Sequence, residues 1–318
     1  MNVIATPVTL ADIEAAATRI AGRVRRTPVI EAAPLKDSPC DARLRLKLEN
    51  LQVTGSFKAR GATNTLLSLS DAEVARGIIT ASGGNHGLAV AYAGWQAQTR
   101  AVIYLSENVP AAKADKLRAW GAEVHVEGAV WDDSNRLAQS VAEAEGLTYI
   151  HPFADNRVMA GQGTVGLEML EQAPDSEIFL VAIGGGGLMS GIATAIKSRK
   201  PEARVIGIEP VGAPTLSRAI EAGEPIALDS ISTDAVTLAP KRTAAVNLEI
   251  IRRNVDEIVL VDDAEMRAAA RWLWFELGLA VELSAAAAIA ALQTGRYLPP
   301  SGAQVTALIC GAGTDGMG

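Results

Sequence analysis

Lys58 lies in the stretch Glu49-Asn50-Leu51-Gln52-Val53-Thr54-Gly55-Ser56-Phe57-Lys58-Ala59-Arg60-Gly61-Ala62, behind a Thr-Gly-Ser turn at the start of what reads as a helix. The amides of a helix N-terminus and the neighbouring Phe57 both disfavour a positive charge. An amine placed there can be held neutral and nucleophilic. Taken alone, Lys58 reads as a solvated charge beside a turn. Its company along the chain is what points to chemistry.

The run Ile183-Gly184-Gly185-Gly186-Gly187-Leu188 ends an apolar strand and opens a helix. Glycines let the backbone approach an anion, and exposed amides with the helix dipole hold a phosphate. Four consecutive glycines at such a junction cost entropy, which favours phosphate binding over a merely flexible turn. The pattern is neither the dinucleotide GxGxxG nor a Walker loop. A second strand-to-helix turn, Ser82-Gly83-Gly84-Asn85-His86-Gly87, offers amides for a carboxylate. Asn85 adds a donor and an acceptor for a flat polar ring. By itself this is ordinary turn chemistry.

Cys310 ends the last apolar strand. It reads either as a small hydrophobe or as a thiol facing a heteroaromatic nitrogen. Glu282, ahead of an Ala-rich helix starting at Ser284, reads first as a partner of the helix dipole. Glu209 ends another strand, but one carboxylate does not make a divalent-cation site.

The elements that must position these residues alternate. Short β-branched runs are expected as strands at 44–48, 78–81, 101–105, 124–126, 149–151, 178–183, 205–209, 258–261 and 305–310. Ala-rich amphipathic segments fill the intervals, at 86–97, 111–120, 133–145, 161–171, 188–198 and 264–277. Thr9 with Asp12 marks a further helix start. The alternation predicts an α/β fold of parallel-type sheets flanked by helices. Nine strands are many for one compact sheet, so two domains are expected: residues 53–149 as the smaller, 1–52 with 150–318 as the larger. The turn-rich segment 223–244 is expected to be irregular.

The 318 residues carry a formal net charge of -7, which argues against nucleic acid or an anionic membrane as partner. Two cysteines fit a reducing cytoplasm, and no apolar run is long enough to span a bilayer. The N-terminus lacks the pattern of a secretory signal. The three histidines, His86, His125 and His151, lie far apart and show no metal-ligand spacing. The glycine-rich tail 311–318 leads to the expectation that no regulatory domain follows.

Together these residues resemble the threonine/serine dehydratases, pyridoxal-phosphate enzymes of the tryptophan-synthase-β-like fold (fold type II). The resemblance covers essentially the whole chain. It implies Lys58 as the residue holding the cofactor as a Schiff base, with Phe57 flanking the ring. It implies Asn85 on the ring hydroxyl, and the loop Ser82, Gly83, Asn85 and His86 on the substrate carboxylate. Gly184, Gly185, Gly186, Gly187 and Leu188 match the phosphate loop, and Cys310 falls where the family faces the pyridine nitrogen. Glu282 is a further candidate, and 159–164 looks like a characteristic family stretch. The expected reaction is β-elimination from a β-hydroxy amino acid, with Lys58 as the base that takes the α-proton. A neutral thiol at Cys310 would favour prompt elimination over a long-lived carbanion. Relatives are commonly dimers, and Trp272–Phe275 would suit an interface.

Departures from the family pattern also carry expectations. Serine racemases have a second serine where this chain has Gly83, which argues against racemisation. Thr215 stands where cation-binding members have an aspartate, so no metal is expected. Leu88 and Gly313 replace a common glutamine and asparagine, leaving the substrate open among L-threonine, L-serine, 3-hydroxyaspartate and phenylserine. A β-replacement enzyme and a non-catalytic nucleotide-binding α/β protein are the other readings.

Overall fold

The computed structural model describes residues 6–317. The first five residues, read above for a secretory signal, and the final glycine of the tail lie outside the described residues. Among the described residues ten strands form two sheets. The larger contains β1 (Val29–Glu31), β2 (Arg43–Leu48), β7 (Ile178–Ala182), β8 (Arg204–Pro210), β9 (Glu257–Val261) and β10 (Gln304–Ile309). Its order is β1-β2-β10-β7-β8-β9, parallel throughout except that β1 pairs antiparallel with β2. The smaller contains β3 (Ile78–Ala81), β4 (Ala101–Leu105), β5 (Glu123–Val126) and β6 (Thr148–Tyr149), all parallel, in the order β5-β4-β3-β6.

The central strands β3, β4 and β7 are buried along their whole length. Helices on both faces remove alternate side chains from water, so these strands read as continuous apolar runs. The nine strands expected from the sequence all form, with ends moved by a residue or two. The exception in character is β6, which stops at Tyr149 and leaves His151 in the following loop. The antiparallel edge strand β1 escaped the sequence reading because three residues with an exposed glutamate carry no periodic signal.

Helices supply the crossovers: α1 (Leu10–Ile20), α2 (Lys58–Leu67), α3 (Asp71–Arg76), α4 (Asn85–Ala97), α5 (Ala111–Ala119) and α6 (Trp131–Glu145) in the first half. The second half adds α7 (Asn156–Gln172), α8 (Gly187–Arg199), α9 (Thr215–Ala222), α10 (Ala245–Asn254), α11 (Asp263–Leu277) and α12 (Leu283–Gln293). Thr9 and Asp12 form the expected capping box on α1. Between α9 and α10 the chain is irregular apart from one short turn at Val236–Leu238, as its composition suggested. Helix α12 is buried on every side, and its run of alanines lets it lie close to the strands of the larger sheet. On α11, Trp272 is buried with its indole N–H on the Asp37 carbonyl, while Trp274 and Phe275 are exposed. No helix among the described residues is long and apolar enough to cross a membrane.

Candidate active site

The residues picked out from the sequence gather at the C-terminal ends of the parallel strands, where an open α/β sheet leaves a crevice. Lys58 comes from the turn after β2. Thr54 and Gly55 both adopt left-handed backbone conformations, with φ of 61° and 86°. The turn is stitched to the end of β10: Ser56 bridges Gly311, Phe57 N–H donates to the Cys310 carbonyl at 3.3 Å, and Ala312 N–H donates to the Gly55 carbonyl at 2.7 Å. The first turn of α2 is thereby set beside Cys310.

The Lys58 amine donates to the Pro152 carbonyl at 2.7 Å and lies 5.3 Å from the Phe57 ring centroid. Desolvation lowers its pKa to about 8, against the opposing pull of Glu282 and Cys310. The residue is only partly exposed.

Across from it, Asn85 Nδ2 donates to both carboxylate oxygens of Glu282 at 3.0 Å. Ser284 Oγ donates to the same carboxylate at 2.6 Å and Thr237 Oγ1 at 3.4 Å. Glu282 is therefore more than a dipole partner of α12; Asp315 takes that place by accepting the Leu283 N–H at 2.8 Å. Desolvation raises the Glu282 pKa. The glycines after Cys310 make room for it: a Cβ on Gly311 would sit 2.4 Å from Glu282 Oε1, and one on Gly313 would sit 2.7 Å from its backbone. Asn85 thus has its amide nitrogen engaged, where the resemblance had left it free to bond a ring hydroxyl.

Ser82 Oγ accepts from the Gly84 N–H at 3.3 Å, shaping the turn that opens α4. The first amides of that helix have no intrahelical acceptor and can receive a carboxylate. The His86 ring is turned away from that role, which leaves its backbone amide as the group the loop can offer a carboxylate. It is buried, with Nε2 donating to the Ile150 carbonyl at 2.9 Å, and burial lowers its pKa to about 3. Val109 fills the space over Gly83: a Cβ there would meet both its methyl groups at 2.9 Å.

The four glycines before α8 are enclosed. A Cβ would strike the Thr237 carbonyl at Gly184 (2.9 Å), the Phe153 ring at Gly185 (2.4 Å) and the Phe153 backbone at Gly187 (2.7 Å). Gly186 has φ of 98° and is the N-cap of α8 with no side-chain cap. Leu188 turns into the core. The amides at the start of α8 are left for an anion that fits a cradle lacking side chains. Cys310 is buried with its thiol 3.9 Å from Ser284 Oγ, and burial pushes its pKa well up, so it stays neutral.

An amine that opposes protonation, a glycine cradle at a helix N-terminus and a neutral thiol can receive an aldehyde, a phosphate and a pyridine nitrogen respectively. The description "Pyridoxal-phosphate dependent enzyme" belongs to the family model that matches residues 20–311. The chain belongs to that family. Pyridoxal phosphate is its cofactor, and the donor set just described fits it. Phenylserine dehydratase of Ralstonia pickettii is 39% identical, over 96% of this chain and 94% of that protein. L-threonine ammonia-lyase of Thermotoga maritima is 36% identical, over 97% and 76%. Among solved structures, maize serine racemase superposes with a TM-score of 0.92 at 32% identity, covering 96% of this chain and 94% of that one. The processed form of threonine deaminase isoform 2 from Solanum lycopersicum gives 0.90 at 32%, covering 96% and 89%. The fold of this family member is tryptophan-synthase-β-like, as its motifs implied.

Several residues of the site carried no signal in the sequence. His151, Pro152 and Phe153 form the loop after β6; Pro152 touches Lys58, and Phe153 lies against the glycine cradle. Asn247, on α10, donates to the Phe153 carbonyl at 3.2 Å. Glu209, by contrast, is turned to a different use. Its carboxylate accepts from Leu216 N–H at 2.7 Å, and from Ser217 N–H and Oγ at 2.9 and 2.7 Å, capping α9. Burial raises its pKa to about 7.

Proposed function

We propose that this enzyme is a dehydratase and ammonia-lyase that converts a β-hydroxy amino acid, L-threonine or L-serine foremost, to a 2-oxo acid and ammonia. The observation that carries this reading is the Lys58 amine, its pKa lowered to about 8 by burial, on the Pro152 carbonyl next to the Phe153 that covers the glycine cradle. Relatives named as dehydratases and ammonia-lyases of phenylserine and threonine support it, since they align over nearly the whole chain.

Lys58 and the amides of Gly184–Gly187 would hold the cofactor, with Cys310 at its ring nitrogen. The bound cofactor supplies the electron sink that stabilises negative charge at the α-carbon. The free Lys58 amine would take the α-proton; a base with a pKa of about 8 is matched to work near neutral pH. The amides at the start of α4 orient the substrate carboxylate, with Ser82 and Gly84 fixing their turn. Glu282 holds Asn85 in place from both carboxylate oxygens. The neutral Cys310 thiol places no charge at the ring nitrogen, which favours loss of the β-hydroxyl over other fates.

The likeness to maize serine racemase supports a second reading, an isomerase on the same site. It is the weaker one, because Gly83 offers no acid or base and Val109 occupies the space above it. A panel of L-threonine, L-serine, 3-hydroxyaspartate and phenylserine, assayed for 2-oxo acid, ammonia and D-amino acid, separates the two. Elimination is expected to dominate with at least one member. D-serine as the main product from L-serine would establish the isomerase instead, and no product from any member would end the lyase reading. The enzyme is further taken to be a homodimer, with the exposed Trp274 and Phe275 of α11 as apolar surface for self-association. Sedimentation velocity is expected to show a dimer that Phe275→Glu weakens; a wild-type monomer at all concentrations would refute it.

A further inference from the structure

We propose that His151 is a positioning residue for Lys58: its ring holds the 151–154 turn in the shape that presents the Pro152 carbonyl to the lysine amine. The inference rests on Lys58 being the reactive amine. Strand β6 ends at Tyr149, and α7 begins at Asn156 with Asp155 as its cap. Residues between them belong to neither element, so their backbone groups need other partners.

His151 provides them. Its Nδ1 accepts the N–H of Phe153 at 3.2 Å and of Ala154 at 2.9 Å. Two donors aimed at Nδ1 place the ring proton on Nε2, so the tautomer is set by the turn. Pro152, between His151 and Phe153, has no N–H and a locked φ. The one polar group the turn leaves at that residue is the carbonyl, and Lys58 Nζ lies on it at 2.7 Å.

The ring is itself held. It packs edge to face with Phe153, centroids 4.6 Å apart, and at 6.2 Å from Tyr149. Phe153 in turn covers Gly185, and its carbonyl accepts from Asn247. One turn therefore touches both ends of the cofactor site, the amine and the glycine cradle. A free lysine side chain has rotamer entropy to lose. A preset carbonyl removes part of that cost before the substrate arrives. His151 acts on the chemistry only through this carbonyl. Burial, and the charge of Lys58 beside it, lower its pKa to about 4, so the acceptor nitrogen is intact at neutral pH.

The test uses the cofactor-free chain and reads the Lys58 amine directly. Its acylation rate by a small amine reagent is followed against pH by peptide mass spectrometry. The wild type is expected to show a midpoint at about 8. His151→Leu removes the acceptor, so the amine swings toward water and the midpoint rises by about one unit toward the ordinary lysine value. His151→Asn keeps an acceptor oxygen near Nδ1 and is expected to keep the wild-type midpoint. His151→Ala serves the same comparison if the leucine variant does not fold. An unchanged midpoint in the leucine or alanine variant, or an asparagine variant shifted equally, overturns the inference alone. Borohydride fixation of pyridoxal phosphate at a lysine other than Lys58 in the wild type overturns the functional reading and the inference together.

Discussion

Lys58→Ala is expected to lower turnover by about 10²–10⁴-fold, the range for losing a positioned acid–base group, and to abolish covalent cofactor retention. Both are read on one sample, from 2-oxo acid release and from the mass of the protein after borohydride reduction. The size of the effect follows from what replaces the amine. Asn85 is committed to Glu282, His86 donates to a carbonyl, and Cys310 is a buried neutral thiol. None of them is a base near neutral pH. Turnover within tenfold of the wild type would show that another group takes the proton.

The same variant changes how stability depends on pH. Desolvation holds Lys58 at about 8 in the folded cofactor-free chain, below the ordinary 10.5 of the unfolded one. Between these values the unfolded chain binds the extra proton, so stability rises with pH across that window. Below about pH 8 the cost of burying the amine is fully present. Lys58→Ala lacks this rise, so its denaturation midpoint gains on the wild type as pH falls from 10.5 toward 8 and holds its lead below that. Parallel stability curves would contradict the lowered pKa.

Arg60→Ala is expected to destabilise the protein by about 3–5 kcal/mol, because it strands the buried carboxylate of Glu49 and leaves Glu168 with Lys47 alone. Arg60 is 1% exposed and Glu49 0%. The guanidinium bonds Glu49 at 2.7 and 2.9 Å, and Glu168 at 2.7 and 2.9 Å, forking to each. Lys47 balances the cluster at 2.5 Å from Glu168. Burial pushes Glu49 up, yet the charge and bonds of Arg60 overcome it and its pKa ends below the usual carboxylate value. Removing the arginine reverses that balance. Arg60→Lys is expected to recover only part of the loss, since a point charge cannot fork to two carboxylates. Urea denaturation of the three proteins at neutral pH measures both. A loss under about 1 kcal/mol in the alanine variant would mean the carboxylates find water or protons cheaply. Arg60 stands two residues beyond Lys58 on α2, so the cluster also anchors the helix that carries the amine to α7.

The legible parts of this site are those whose chemistry is local. Gly184–Gly187 announce themselves because an enclosed strand-to-helix junction excludes every Cβ. The turn before Lys58 is marked by Gly55, which takes a left-handed backbone freely, although Thr54 beside it does so against its β-branch. The strands show because parallel strands covered on both faces must be apolar along their length. Glu282 was half legible: its place before a helix was clear, its grip on Asn85, 197 residues away, was not. Arg60 gave no sign of its buried role, because a charged residue on a helix looks the same whether solvated or paired.

The α/β alternation and the residue types at Lys58, Cys310 and Gly184–Gly187 could be read from the sequence, since each depends on a short run, and the cofactor class came with the family resemblance those runs carry. Tertiary structure alone decided which groups surround the amine. His86 and His151, distant in the chain and without metal-ligand spacing, are both buried near the amine, and burial first and the charge of Lys58 second lower their pKa values. Pro152 supplies a carbonyl that any residue could have supplied, so no residue type could mark it. Hydrogen bonds to backbone and the desolvation of buried charge depend on what packs from elsewhere, and that is settled only when the chain closes on itself.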